Sequence, residues 1–231
     1  MNRFKTAFKH LAACAKKSLK VNGLGQSRQA FMDAILEDPN YTLIGRGCSR
    51  VAIKFKDDNK QDVILKLNHS ESLEAYEVAG RKGNEYERKE YEKVKVTYPT
   101  LYKFLNPLLR AKYFQGHLVL FYPLLDVLPT KKDKLDLHNQ NEECGSKAFN
   151  TAYNSNLKKF AWRKHIMEHA FHDVHDGNVG VFNKFLYVLD LNIMWGSEGW
   201  KAKKEAEAIE YFKFYKNDAD LIQSLKLIGH S

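Results

Sequence analysis

The chain has 231 residues, 44% of them apolar and 13% aromatic, which is one domain of ordinary size or a domain with an appendage, and excludes a disordered chain. Thirty-seven Lys and Arg against 28 Asp and Glu give +9, a balance that suits nucleic acid, an anionic surface or an acidic partner. Cys14, Cys48 and Cys144 form no CxxC pair and no disulfide framework, and no apolar run approaches the roughly 18 residues of a membrane span, so a reducing cytoplasm is the expected setting.

Residues 1–32 carry Arg3, Lys5, Lys9, Lys16, Lys17, Lys20 and Arg28, and no acid precedes Asp33. Those seven cations leave 30 against 28 acids, or +2, for the remainder of the chain. Phe4, Phe8, Leu11 and Ala15 recur at helical spacing, so the segment reads as a basic amphipathic helix. A second helix is expected to start at Ser27 as N-cap, bury Phe31, Ile35 and Leu36, and stop before Pro39. This arm either packs on the main domain or binds a partner.

From Tyr41 the period changes. Tyr41–Ile44, Val51–Phe55 and Asp62–Leu67 are β-rich runs separated by turns, one holding Gly45 and Gly47 and the other Asp57-Asp58-Asn59, which predicts an antiparallel meander. Residues 84–96 are charged and helical, and His117–Leu125 is a strand pair or a strand plus linker. Residues 131–156 are polar and rich in turn formers, and Leu157–Phe171 is a helix. Val179–Phe182 and Phe185–Leu189 predict a hairpin across Asn183-Lys184, and Lys201–Lys216 an amphipathic helix. Strands first, helices later and a returning strand pair make the class α+β.

Several groups on this frame can do chemistry. Glycines at 45 and 47 in a turn between strands let backbone N–H groups approach phosphate oxygens. Gly23-Leu24-Gly25 has the same spacing but follows no strand, and Arg28 and Arg50 replace the third glycine that a dinucleotide fingerprint needs. Lys66 sits in a strand otherwise made of Val, Ile and Leu, and is either a phosphate-pairing lysine or an edge-strand residue facing solvent. Lys54, in Val51-Ala52-Ile53-Lys54, follows the glycine turn too closely to serve. The polar loop His172-Asp173-Val174-His175-Asp176-Gly177-Asn178 precedes the hairpin, and Asp190 follows it. A hairpin folds its ends together, so Asn178 and Asp190 should converge as oxygen ligands suited to Mg²⁺. Asp173 would then orient or deprotonate an attacking hydroxyl.

In this order, from about Tyr41 to Asn192, the motifs resemble the protein-kinase-like family, in particular its short atypical phage and bacterial Ser/Thr members. The resemblance implies a two-lobed kinase-like fold with an abbreviated C-lobe: a basic helical arm over 1–40, an N-lobe over 41–125 and a C-lobe over 126–231. It implies ATP and Mg²⁺ as cofactors and transfer of the γ-phosphate to a protein Ser or Thr, the protein itself included. Gly45, Gly47, Ser49 and Arg50 would cover the phosphates, Lys66 would contact them, and Leu120 would lie near the adenine. The Gly80–Tyr91 stretch is similar to the family's glycine, asparagine, glutamate and aromatic pattern. It favours Glu87 as the partner of Lys66, with Glu85 and Glu90 in reserve. Asp173 takes the catalytic aspartate position, His175 a position beside it that donates to the γ-phosphate, and Asn178 and Asp190 the metal positions.

The chain also departs from the pattern. Arg50 implies a stiffer glycine turn, Phe171-His172-Asp173 stands where histidine-arginine-aspartate is usual, and His175 replaces a lysine. Asp190 is followed by Leu-Asn, and only 41 residues remain after it. A small-molecule acceptor therefore stays open, as does a kinase-like binding or inhibitor protein that lacks transfer and uses the arm on a host or partner protein. The near-balanced remainder gives no reason to expect nucleic acid. His165, His169, His172 and His175 could suggest a metal-binding helix, but a helix face running into a loop is preferred. A His172-Asp173 phosphohydrolase ranks third, because Gly177 and two strands follow at once.

Overall fold

Alternation of apolar and polar side chains builds the first sheet. In β2 (Arg50–Lys56), Val51, Ile53 and Phe55 are buried and the residues between them are not, which gives the strand two unlike faces. β3 (Asp62–Asn68) is buried almost throughout, as a strand covered on both faces must be. With β1 (Thr42–Arg46), β4 (Arg110–Phe114) and β5 (His117–Pro123) they form a five-stranded antiparallel sheet in the order β1-β2-β3-β5-β4. β3 is therefore an inner strand, not an edge. The β4–β5 hairpin turns through Gln115 and Gly116, both at positive φ (49° and 88°), the backbone that a two-residue hairpin with native twist requires. The sequence reading did not anticipate β4.

This computed structural model describes residues 3–20, 24–46, 50–68, 83–127, 156–172, 174, 178–189, 191, 194 and 196–230. The chain divides into two units, Met1–Lys89 with Leu108–Leu124, and Glu90–Pro107 with Leu125–Ser231.

In the first unit, α1 (Lys5–Ser18) and α2 (Leu24–Leu36) cover one face of the sheet. Phe4, Phe8, Leu11, Ala15, Phe31 and Ile35 share one core with Val51, Ile53, Phe55, Leu65 and Phe121. The Phe121 ring stands 5.0 Å from Phe4 and 5.6 Å from Phe8. The β2–β3 turn fastens the start of α1: Arg3 Nε donates to Asp57 Oδ2 at 2.6 Å, and the Thr6 N–H to Asp58 Oδ2 at 3.3 Å. The residues read as an arm thus build part of the sheet's core. α2 begins at Leu24, before the expected cap Ser27, whose hydroxyl lies 3.3 Å from His117 Nε2 on β5. A tertiary contact, not a cap, takes that hydroxyl.

The second unit holds a three-stranded antiparallel sheet, β6 (Asp126–Val127), β7 (Val179–Phe182) and β8 (Phe185–Val188) in that order. The expected hairpin turns at Asn183 and Lys184, again both at positive φ (45° and 72°). Position 180 has to be glycine, since a Cβ there would stand 2.7 Å from Leu125 Cβ. The helices are α3 (Asn84–Thr97), which starts in the first unit, then α4 (Pro99–Tyr102), α5 (Leu157–Ala170), α6 (Glu198–Phe214) and α7 (Ala219–Ile228). Side chains of Asn156, Ser197 and Asp218 cap α5, α6 and α7 by accepting from backbone N–H groups. α7 had no counterpart in the sequence reading. The class is mixed α+β with an antiparallel five-stranded sheet, and no helix among the described residues is long and apolar enough to cross a membrane.

Candidate functional site

Residues directly opposite one another on neighbouring strands share a face. One such row crosses the first sheet through Gly45, Ala52, Lys66, Leu120 and Ala111. Four of the five are small or apolar, so Lys66 is the row's one cation. It is 9% exposed, and its Nζ lies 3.1 Å from Oε1 of Glu87, itself 1% exposed. Tyr122 Oη donates to the same oxygen at 2.7 Å, while the ammonium sits 4.6 Å from the centre of the Tyr122 ring. The Arg50 guanidinium pairs with the other oxygen, Oε2. A buried carboxylate is tolerable only with such partners, and it holds the ammonium in place in turn.

Asn84 sets where Glu87 falls. It is fully buried, its side-chain amide donates to the carbonyls of Lys66 and Leu118, each at 2.7 Å, and its own N–H donates to Asn68 Oδ1 at 2.9 Å. The first turn of α3 is thereby tied to β3 and β5, and a residue three positions on faces the same way. Glu85 turns elsewhere, to Arg88 at 2.7 Å and the Tyr113 hydroxyl at 2.5 Å, and those two hydrogen bonds hold its carboxyl below the usual range. Lys54 pairs with Asp62 at 3.3 Å, away from this cluster.

In the second unit the hairpin draws its two ends together: the Leu189 N–H donates to the Asn178 carbonyl at 2.8 Å. Asn178 therefore lies against the residue preceding Asp190. Gly47, Ser49, Asp173, His175 and Asp190 lie outside the described residues. On α5, the rings of His165 and His169 are 4.1 Å apart, and His169 Nδ1 donates to the His165 carbonyl at 2.8 Å. Burial, then the neighbouring His169, pushes His165 below its ordinary pKa. Among the described residues no three metal-capable side chains gather.

The residues present fit the groups that the kinase resemblance implies. By residue type, a carboxylate-held lysine beside glycine and alanine is a cation of the kind that pairs with phosphate, and an asparagine with an aspartate is a hard donor set suited to Mg²⁺. Tyr122, Ala52 and the anchoring role of Asn84 were not foreseen. Tyr122 alone carried a signal, as a hydroxyl in an apolar run that needs a partner once buried. No protein-family model matches the chain, and comparison with curated proteins finds no significant match.

Proposed function

We propose that the protein has a two-lobed protein-kinase-like fold and is an ATP- and Mg²⁺-dependent phosphotransferase acting on a protein Ser or Thr hydroxyl, its own included. The observation that carries this reading is the buried Lys66–Glu87 pair on an inner strand, in one row with Gly45, Ala52 and Leu120. Lys66 pairs with phosphate oxygens while Glu87 fixes it, and the Gly45–Arg50 turn supplies backbone donors. Leu120, opposite Lys66 in the same row, would lie nearest the base. Asp173 accepts the proton of the attacking hydroxyl, and His175 donates to the transferred group. Asn178 and Asp190 hold Mg²⁺, which neutralises charge on the phosphates. The hydroxyl oxygen bonds to the γ-phosphorus, the bond from that phosphorus to the β–γ bridging oxygen breaks, and ADP leaves.

Phosphate transfer from γ-labelled ATP tests this directly. Alanine at Lys66, Asp173 or Asp190 should abolish incorporation, and full incorporation in those variants would overturn the assignment. Binding of ATP without any transfer by the wild type would instead point to a kinase-like binding protein. Phosphoproteomics of cells expressing the wild type or Asp173→Ala would then identify the acceptor.

A further inference from the structure

Arg163, on α5, is 1% exposed, and no carboxylate among the described residues lies within ion-pairing distance of it. Its Nε donates to the Leu186 carbonyl at 2.6 Å and its Nη2 to the Lys103 carbonyl at 3.2 Å. The guanidinium is sandwiched 4.4 Å from the Phe104 ring centre and 4.7 Å from that of Tyr187. Nη1 is buried with no hydrogen-bond partner, and so is the hydroxyl of Tyr211 on α6. The Tyr211 hydroxyl is close enough to the guanidinium to feel it as a donor, which still leaves the hydroxyl's own proton and the buried charge without an acceptor. A buried cation lacking a counter-charge is costly, and neither carbonyls nor rings neutralise it.

Both residues line a crevice shared with Asn156, Lys159 and Lys184. The acids near those lysines are already engaged, Asp218 by Lys159 and Asp220 by Lys184, and neither lines the crevice. The volume is about 10 Å³, on the order of the space that holds one small occupant. The uncompensated charge is felt nearby. Burial pushes His230 down to about 4 with Arg163 adding to the fall, while Arg163 works against the burial that pushes Tyr211 up to about 12.

We propose that this crevice, where the Arg163 guanidinium meets the Tyr211 hydroxyl, is a binding site for one monatomic anion, chloride. Water would satisfy the two donors but leave the charge unpaired, whereas chloride does both. The site is independent of the phosphotransfer reading and stands if that reading fails.

Thermal unfolding of the full chain in sodium chloride and in sodium gluconate at equal ionic strength tests it. Chloride should raise the midpoint by about 3 °C and the rise should grow with its logarithm. Tyr211→Phe should weaken the chloride dependence about fivefold, and Arg163→Met should remove it. Should Arg163→Met fail to fold, Tyr211→Phe and crystals of the wild type soaked in bromide decide, with an anomalous peak expected beside Arg163 Nη1. Equal midpoints in the two salts, no bromide peak, or chloride dependence retained in Arg163→Met would each overturn the proposal.

Discussion

The two faces of the five-stranded sheet solve different problems with the same strands. On one, Val51, Ile53, Phe55, Leu65 and Phe121 pack under α1 and α2 by shape alone. On the other, Arg50, Lys66 and Tyr122 converge on the single carboxylate of Glu87. Apolar packing is non-directional, gains in proportion to the area covered and tolerates exchange at constant volume. A buried charge cluster adds little net stability, yet it fails badly when one member is removed. The first face holds the unit together, and the second holds a geometry.

The largest expected effect comes from breaking the apolar face. Phe121→Ala, which empties the space beneath Phe4 and Phe8, should cost about 3–5 kcal/mol in urea unfolding; a loss below about 1 kcal/mol would mean that the helices do not rest on the sheet as described. On the charged face, Glu87→Ala should cost about 3 kcal/mol, because the carboxylate shared by Lys66, Arg50 and Tyr122 is lost. Lys66→Met also removes one member and should cost about 2 kcal/mol, less than Glu87→Ala because Arg50 and Tyr122 still hold the carboxylate. A loss below about 1 kcal/mol for Lys66→Met would mean that the lysine does not help to hold the buried carboxylate.

Asn84→Ala removes two buried donors between the sheet and α3, and should cost about 1–3 kcal/mol in urea unfolding. The smallest effect belongs to His117, which meets the Ser18 and Ser27 hydroxyls and stacks on Phe31 at 4.6 Å. Burial, then the charge of Arg28, lowers it from the ordinary 6.5, so the folded state takes up a proton less readily than the unfolded chain. Its contribution should be complete above pH 6.5 and shrink as pH falls below that value. A pH titration of stability should flatten on that acid side in His117→Gln, and an unchanged profile would remove the imidazole from the helix–sheet contact.

Much of the first sheet was legible because local pattern and burial agree. The alternation in Val51–Phe55 and the turn at Asp57-Asp58-Asn59 predict β2, β3 and their pairing without help from the rest of the chain. β4 was missed because Arg110-Ala-Lys-Tyr-Phe is an edge strand with little buried, so it lacks the apolar alternation that marks a strand. Ser27 looked like a cap because its hydroxyl's real partner, His117, comes from another element. Lys66 stood out as a charge among Val, Ile and Leu, and Glu87 by the pattern around Asn84. Nothing local distinguishes Arg50 as a second partner of Glu87, or Arg163 as a buried cation, since each depends on what tertiary folding brings beside it.

The assignment of the charged face to nucleotide is tested most directly by calorimetric titration of ATP with Mg²⁺ into the wild type and into Lys66→Met. Saturable binding by the wild type, lost in a folded Lys66→Met, is the expected result. No binding by the wild type, or equal binding by both, would contradict it.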